Sequence, residues 1–180
     1  MVLRDRAASP PREDLLRESP FELRSGPGGE HSGDGRTLDG YAAVFESETV
    51  IDSWEGRFRE VIAPGAMKKS FRERPPVIQF DHGKHPMVGS IPIASVDVIE
   101  EASDPDLAPR GGAHIVATLH DNWLVEPVRE AIQSGAVHGM SFRFSVVSEE
   151  WYDAAGKKLT TNDAIVAELD RTWLEDVPVD

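Results

Sequence analysis

Cysteine is missing from all 180 positions, so the chain can hold neither a disulfide nor a thiolate metal site, and thiol nucleophiles are excluded. Basic residues are scarce beside acidic ones: 19 Lys and Arg against 32 Asp and Glu give a formal net charge of −13. Such a surface repels phosphate backbones and anionic headgroups, which disfavours direct nucleic-acid binding and membrane adsorption. A protein or peptide is the expected partner. No run of about 18 apolar residues occurs, so no membrane-spanning helix is expected, and Met1–Arg17 lacks the apolar stretch of a secretory signal. The expected location is the cytoplasm, or a particle assembled there.

Apolar residues, at 39%, suffice for a core, and charged residues, at 28%, for a solvated surface. The length suits one domain over residues 21–180, preceded by a polar, proline-bearing leader over residues 1–20 whose composition predicts flexibility. Phe21–Arg24 and Thr37–Phe45 alternate apolar and polar side chains and predict a hairpin, and Arg57–Ile62 a further strand. Ala63-Pro64-Gly65 leads into a predicted helix over 66–74 that stops before Pro75-Pro76. Val77–Phe80 is a short apolar run that reads as a buried strand, delivering Asp81-His82-Gly83 at its end.

Met87–Val98 has a strand pattern broken near Pro92. The acidic, proline-bearing stretch Glu101–Gly112 reads as a loop, and Ala113–Leu119 as a strand with alternating faces. Leu124, Val128, Ala131 and Ile132 repeat at helical spacing, which predicts a helix over Asn122–Ser134 ended by Gly135. Val137–Val147 follows as a strand with Phe142, Phe144 and Val146 on the core face and Ser141 on the other. A turn at Gly156 and one or two closing strands over Ile165–Val179 complete the pattern.

Six histidines, at positions 31, 82, 85, 114, 120 and 138, are the available general bases. His82 follows an apolar run and precedes a glycine, a setting that anchors its backbone and leaves its ring accessible. Ser141 stands between Gly139, which lets a substrate backbone approach, and Phe142, which would lock the strand beneath it. A held hydroxyl beside an imidazole is the pairing that acyl transfer needs. Alone, either residue is ordinary: a strand-end Asp-His pair, and a serine on a polar strand face. Metal hydrolysis through His82, His85 and a carboxylate is a lesser alternative, since no helical His-Glu pairing of the zincin type occurs.

Four blocks in order resemble the prohead proteases of tailed bacteriophages, which are related in fold to the herpesvirus assemblins. They are Leu38-Asp39-Gly40-Tyr41-Ala42-Ala43-Val44-Phe45, then Phe58-Arg59-Glu60-Val61-Ile62-Ala63-Pro64-Gly65-Ala66-Met67, then Val77 to His82 with Val88-Gly89-Ser90, and Gly135 to Phe144. The resemblance implies an α+β fold, a mostly antiparallel, barrel-like sheet flanked by helices. It implies a serine endopeptidase with Ser141 as nucleophile, His82 as general base and an acidic third member from the late block Trp173-Leu174-Glu175-Asp176-Val177. Glu175 is the candidate there and Asp176 its neighbour. Asp81, where the family often has asparagine, is an alternative orienter of the imidazole. Arg143, where the family often has a small residue, would make the cleft more polar or select an acidic group.

The implied substrates are the major capsid protein precursor with its scaffolding segment and the protease itself, cut inside the viral prohead in the host cytoplasm. The assemblins add a homodimer as a further form to test. The mechanism calls for no cofactor and no metal. The opposed expectation is a catalytically silent scaffolding or capsid-binding domain of the same fold.

Overall fold

A computed structural model describes residues 15–20, 35–53, 56–137, 139–162, 164–165 and 167. In chain order the elements are β1 (Leu15–Pro20), β2 (Thr37–Val44), β3 (Thr49–Ser53), β4 (Gly56–Glu60), α1 (Lys68–Glu73), β5 (Ala94–Asp104), β6 (Ala108–Leu119), α2 (Glu126–Gln133), β7 (Gly139–Phe144), β8 (Trp151–Tyr152) and β9 (Lys158–Leu159). Every strand pair whose register is defined is antiparallel. Among the described residues two short α-helices and a 3-10 turn at Phe80–Gly83 accompany the strands, so the class is α+β. Among the described residues the strands form four separate sheets, and none closes into a barrel.

The chain divides into two compact units. The first comprises Arg17–Ser47 and Ile62–Phe142, and its centre is the three-stranded sheet β2-β6-β5. Strand β6 alternates as its sequence requires: Ala113, Ile115, Ala117 and Leu119 are buried while Thr118 is exposed. Those side chains pack with Leu38, Ala42 and Ala43 of β2, with Val88 and Ile93, and with Val125 and Val128 at the start of α2. Small residues along β6 allow the layers to approach closely. Gly112 is the extreme case, because a Cβ there would lie 2.4 Å from the Ala43 carbonyl oxygen.

Several elements differ from expectation, each for a local reason. Glu101–Gly112 is no loop: β5 and β6 form one long hairpin, closed where the Asp104 carboxylate accepts the amides of Asp106 and Leu107 at 3.0 and 2.9 Å. An aspartate turn lets an acidic stretch reverse within a few residues. Strand β5 accordingly starts at Ala94, and residues 84–93, expected to open a strand at Met87, are turn and irregular chain. Val77–Phe80 is not a buried strand either. Val77 is 62% exposed, and the run makes a single bridge, Ile78 to Ala94, with Ile78 and Phe80 packed on the core.

Helix α1 begins at Lys68, two residues late, because Gly65 takes a positive φ of 88°. The Glu101 carboxylate, nearly buried, collects the amides of Gly65, Met67 and Lys68 at 2.8, 3.0 and 3.1 Å, binding this turn to β5. Three charge-assisted bonds of this kind would contribute roughly 2 kcal/mol or more. Helix α2 starts at Glu126 rather than Asn122, whose side chain instead caps the turn before it, accepting the amides of Leu124 and Val125 at 3.0 and 3.1 Å. Gly135, at φ 73°, ends that helix as expected.

The second unit takes in Glu48–Val61 and the described residues of the terminal segments. Its β3–β4 hairpin pairs Ile51 with Phe58, and its β8–β9 hairpin turns at Gly156, φ 80°. Phe58 meets Trp151 edge to face at 5.0 Å. Near Ile165, where a strand was expected, the described residues are helical, and the Ile165 amide donates to the Thr161 carbonyl at 3.1 Å. A further two-stranded sheet pairs β7 with β1, so residues 15–20, expected within a flexible leader, form a strand. The expected strand at Phe21–Arg24 lies outside the described residues.

Candidate active site

Ser141 is the third residue of β7. Met140 and Phe142, its neighbours along the strand, pack against the core of the first unit, so the alternation of a strand turns the serine hydroxyl to the opposite face. Ser141 is half-buried, held by a backbone whose flanking side chains are fixed.

His82 is presented by an unusual turn. Asp81, His82 and Gly83 all have positive φ, at 48°, 48° and 77°. A left-handed conformation costs a non-glycine residue about 1–2 kcal/mol, so two in succession persist only where the surroundings impose them. The constraints can be traced. The Lys84 amide closes the turn on the Asp81 carbonyl at 2.8 Å, and the Ile93 amide ties the far arm of the loop to the Ile78 carbonyl at 2.9 Å. The Gln79 side-chain amide donates to the Ser90 carbonyl at 2.7 Å. His85 caps the next turn with Nδ1, accepting the amides of Met87 and Val88 at 3.3 Å each, and its ring lies 5.3 Å from that of Phe80. Buried Val88 anchors the loop to the core.

From this turn the His82 Nε2 atom reaches the Ser141 Oγ in a hydrogen bond, between residues 59 positions apart in the sequence. Both side chains are half-buried and both belong to the first compact unit. An imidazole bonded to an alcohol at a partly open surface can withdraw the alcohol's proton as the oxygen attacks a carbonyl carbon.

The remaining sequence candidates fall differently. Glu175 and Asp176 lie outside the described residues, as do His31 and His138. Asp81 is exposed, and its carboxylate makes no hydrogen bond or ion pair to another described residue. His85 spends its Nδ1 on its own loop rather than joining His82 around a metal. His114 forms a second histidine–carboxylate pair, Nε2 to Asp39 Oδ1 at 2.8 Å, under the Tyr41 ring at 5.1 Å, with Nδ1 buried 3.9 Å from Glu100. That pair joins neighbouring strands, and among the described residues its hydrogen bond involves no serine or threonine hydroxyl. Sequence reasoning missed Gln79 and Ser90, because only the folded loop brings an amide at one end to a carbonyl eleven residues on.

A family model described as Caudovirus prohead serine protease matches residues 23–174. Comparison with curated proteins and with solved structures gave no match.

Proposed function

The chain belongs to the caudovirus prohead serine protease family, and from that premise we propose that Ser141 and His82 carry its peptidase activity. The observation that supports this most directly is the hydrogen bond between the Ser141 hydroxyl and the His82 Nε2 atom. In the proposed reaction His82 Nε2 accepts the Ser141 proton while Oγ bonds to the scissile carbonyl carbon. The tetrahedral intermediate collapses as the Nε2 proton passes to the departing amine, leaving an acyl-enzyme. A water then gives its proton to the same nitrogen, its oxygen attacks the ester, and Ser141 leaves with the proton returned. Backbone amides would stabilise the oxyanion.

For Nε2 to act as a base, the other ring nitrogen must hold its proton and give it to an acceptor. Among the described residues no side chain takes that proton from Nδ1 of His82. The late acidic block is the proposed source of the acceptor, with Glu175 ahead of Asp176. A prohead protease acts on capsid protein within the assembling shell. Here the proposed cuts fall in the scaffolding segment of the major capsid protein precursor and in the protease itself, with an assemblin-like fold and a homodimer as parts of the same proposal.

Ser141→Ala should abolish processing of a co-expressed capsid precursor, by about a thousandfold or more in rate, with the fold intact. Unchanged processing would remove Ser141 from the mechanism. Covalent labelling by a fluorophosphonate, lost in the same variant, distinguishes a protease from a silent scaffold of the same fold, which has no activated hydroxyl.

A further inference from the structure

We propose that Gln79 is a positioning residue for the general base: its side-chain amide staples the loop that forces His82 into the conformation from which it reaches Ser141. The inference rests on the hydrolase reading above and adds to it a residue that touches neither substrate nor nucleophile.

Three consecutive left-handed residues, Asp81 to Gly83, are not what a free chain adopts, so something must hold the arms of the loop together. Among the described residues the backbone links between the arms lie at their base, the Ile78–Ala94 bridge and the Ile93 amide on the Ile78 carbonyl at 2.9 Å. Beyond that bridge the arms are joined by the Gln79 Nε2 donating to the Ser90 carbonyl at 2.7 Å. The turn rests directly on this staple. A methyl group built on Gly83 would lie 3.1 Å from the Ser90 Cα and 3.5 Å from the Gln79 Oε1. Gln79 and Ser90 thus form the floor under the residue that follows His82.

Phe80, next to Gln79, is packed on the core, so the backbone at this end of the loop is fixed and the Gln79 side chain projects the other way. Without the staple, the Ser90 arm can move off the turn and His82 can relax to an ordinary conformation. Its ring would then leave Ser141. A misplacement of about 1 Å in a reacting group can lower a rate by about a hundredfold.

The donor is what matters, which makes the choice of variants specific. Gln79→Ala removes it; Gln79→Glu keeps the shape and sets an acceptor against the Ser90 carbonyl; Gln79→Lys keeps a donor of similar reach. Fluorophosphonate labelling of Ser141 should slow about 10- to 100-fold in the alanine and glutamate variants and recover to within about threefold of the unaltered chain with lysine. With a peptide substrate the loss should fall on kcat, with KM moving less than about threefold. Labelling as slow in the lysine variant as in the alanine one would overturn the donor role.

A second readout does not depend on hydrolysis. In the otherwise unaltered chain, Ser141→Ala should shift the NMR resonance of the His82 ring Hε1, because it removes the ring's hydrogen-bond partner. With Gln79→Ala already present, the same change should shift it by less than about half as much. Equal shifts in the two backgrounds would overturn the proposal. If the unaltered chain took no fluorophosphonate label, the protease reading would fall, and the resonance comparison would still decide the part played by Gln79.

Discussion

Asp81 occupies a left-handed conformation in which Asp and Asn are the least disfavoured residues after glycine, and its carboxylate makes no hydrogen bond or ion pair to another described residue. Backbone geometry is thus a sufficient reason for an acidic residue beside His82, the proposed general base. Asp81→Asn should leave labelling and peptide cleavage within about threefold of the original, whereas an orienter of the imidazole loses roughly 10⁴-fold in kcat on the same change. Asp81→Val, β-branched at positive φ, should lower stability by about 1–2 kcal/mol in thermal unfolding. A large activity loss in the asparagine variant would make Asp81 the third member. The sequence showed the Asp-His-Gly string and its setting after an apolar run. It could not show the sign of φ, because a left-handed turn is decided by contacts such as Gly83 against Ser90.

Helix α2 shows how far an element can be read from its own residues. The helical spacing of its apolar side chains and Gly135 at its end were legible, and both hold in the structure. Its start was not: Asn122 caps a separate turn, through the amides of Leu124 and Val125, and α2 itself begins at Glu126. Just beyond, Glu126 accepts from the Arg129 Nε at 2.9 Å and the Arg36 Nη2 at 3.1 Å, and Arg36 also donates to the His120 carbonyl at 3.2 Å and to Asp121 at 2.7 Å. The hydrogen bond from Arg129, with the charges of Arg129 and Arg36, holds the Glu126 carboxyl below the usual glutamate range, against the opposing effect of desolvation. A carboxyl lowered by folding stabilises the native state above the ordinary glutamate value of about 4.3, and that contribution is lost as pH falls through the lowered value. Glu126→Gln should therefore lower Tm at neutral pH, and the gap between variant and original should close in acid. A gap of constant size down to acid pH would mean that the carboxylate charge does not support α2.

At the scale of the molecule, the serine–histidine pair depends on two segments far apart in the chain, each held against the core by apolar neighbours: Ile78, Phe80 and Val88 for His82, Met140 and Phe142 for Ser141. Reactivity at Ser141 should then vanish in the same cooperative transition that melts the β2-β6-β5 sheet. Fluorophosphonate labelling and far-UV circular dichroism, followed through a urea titration, should give coincident midpoints. Labelling that survives loss of the sheet signal would show a serine reactive without this fold. The sequence by itself determined the alternation of β6, the end of α2, the strand face that carries Ser141, and, through four ordered blocks, the two residues to examine. The first three are local properties, set by side-chain periodicity and the backbone preferences of glycine; the last came through the family resemblance. Only the tertiary structure decided that β5 and β6 are one hairpin, that Glu101 caps the turn before α1, and that a glutamine spans the histidine loop. Each of those depends on polar groups distant in sequence finding one another once the apolar core has fixed the distance between them.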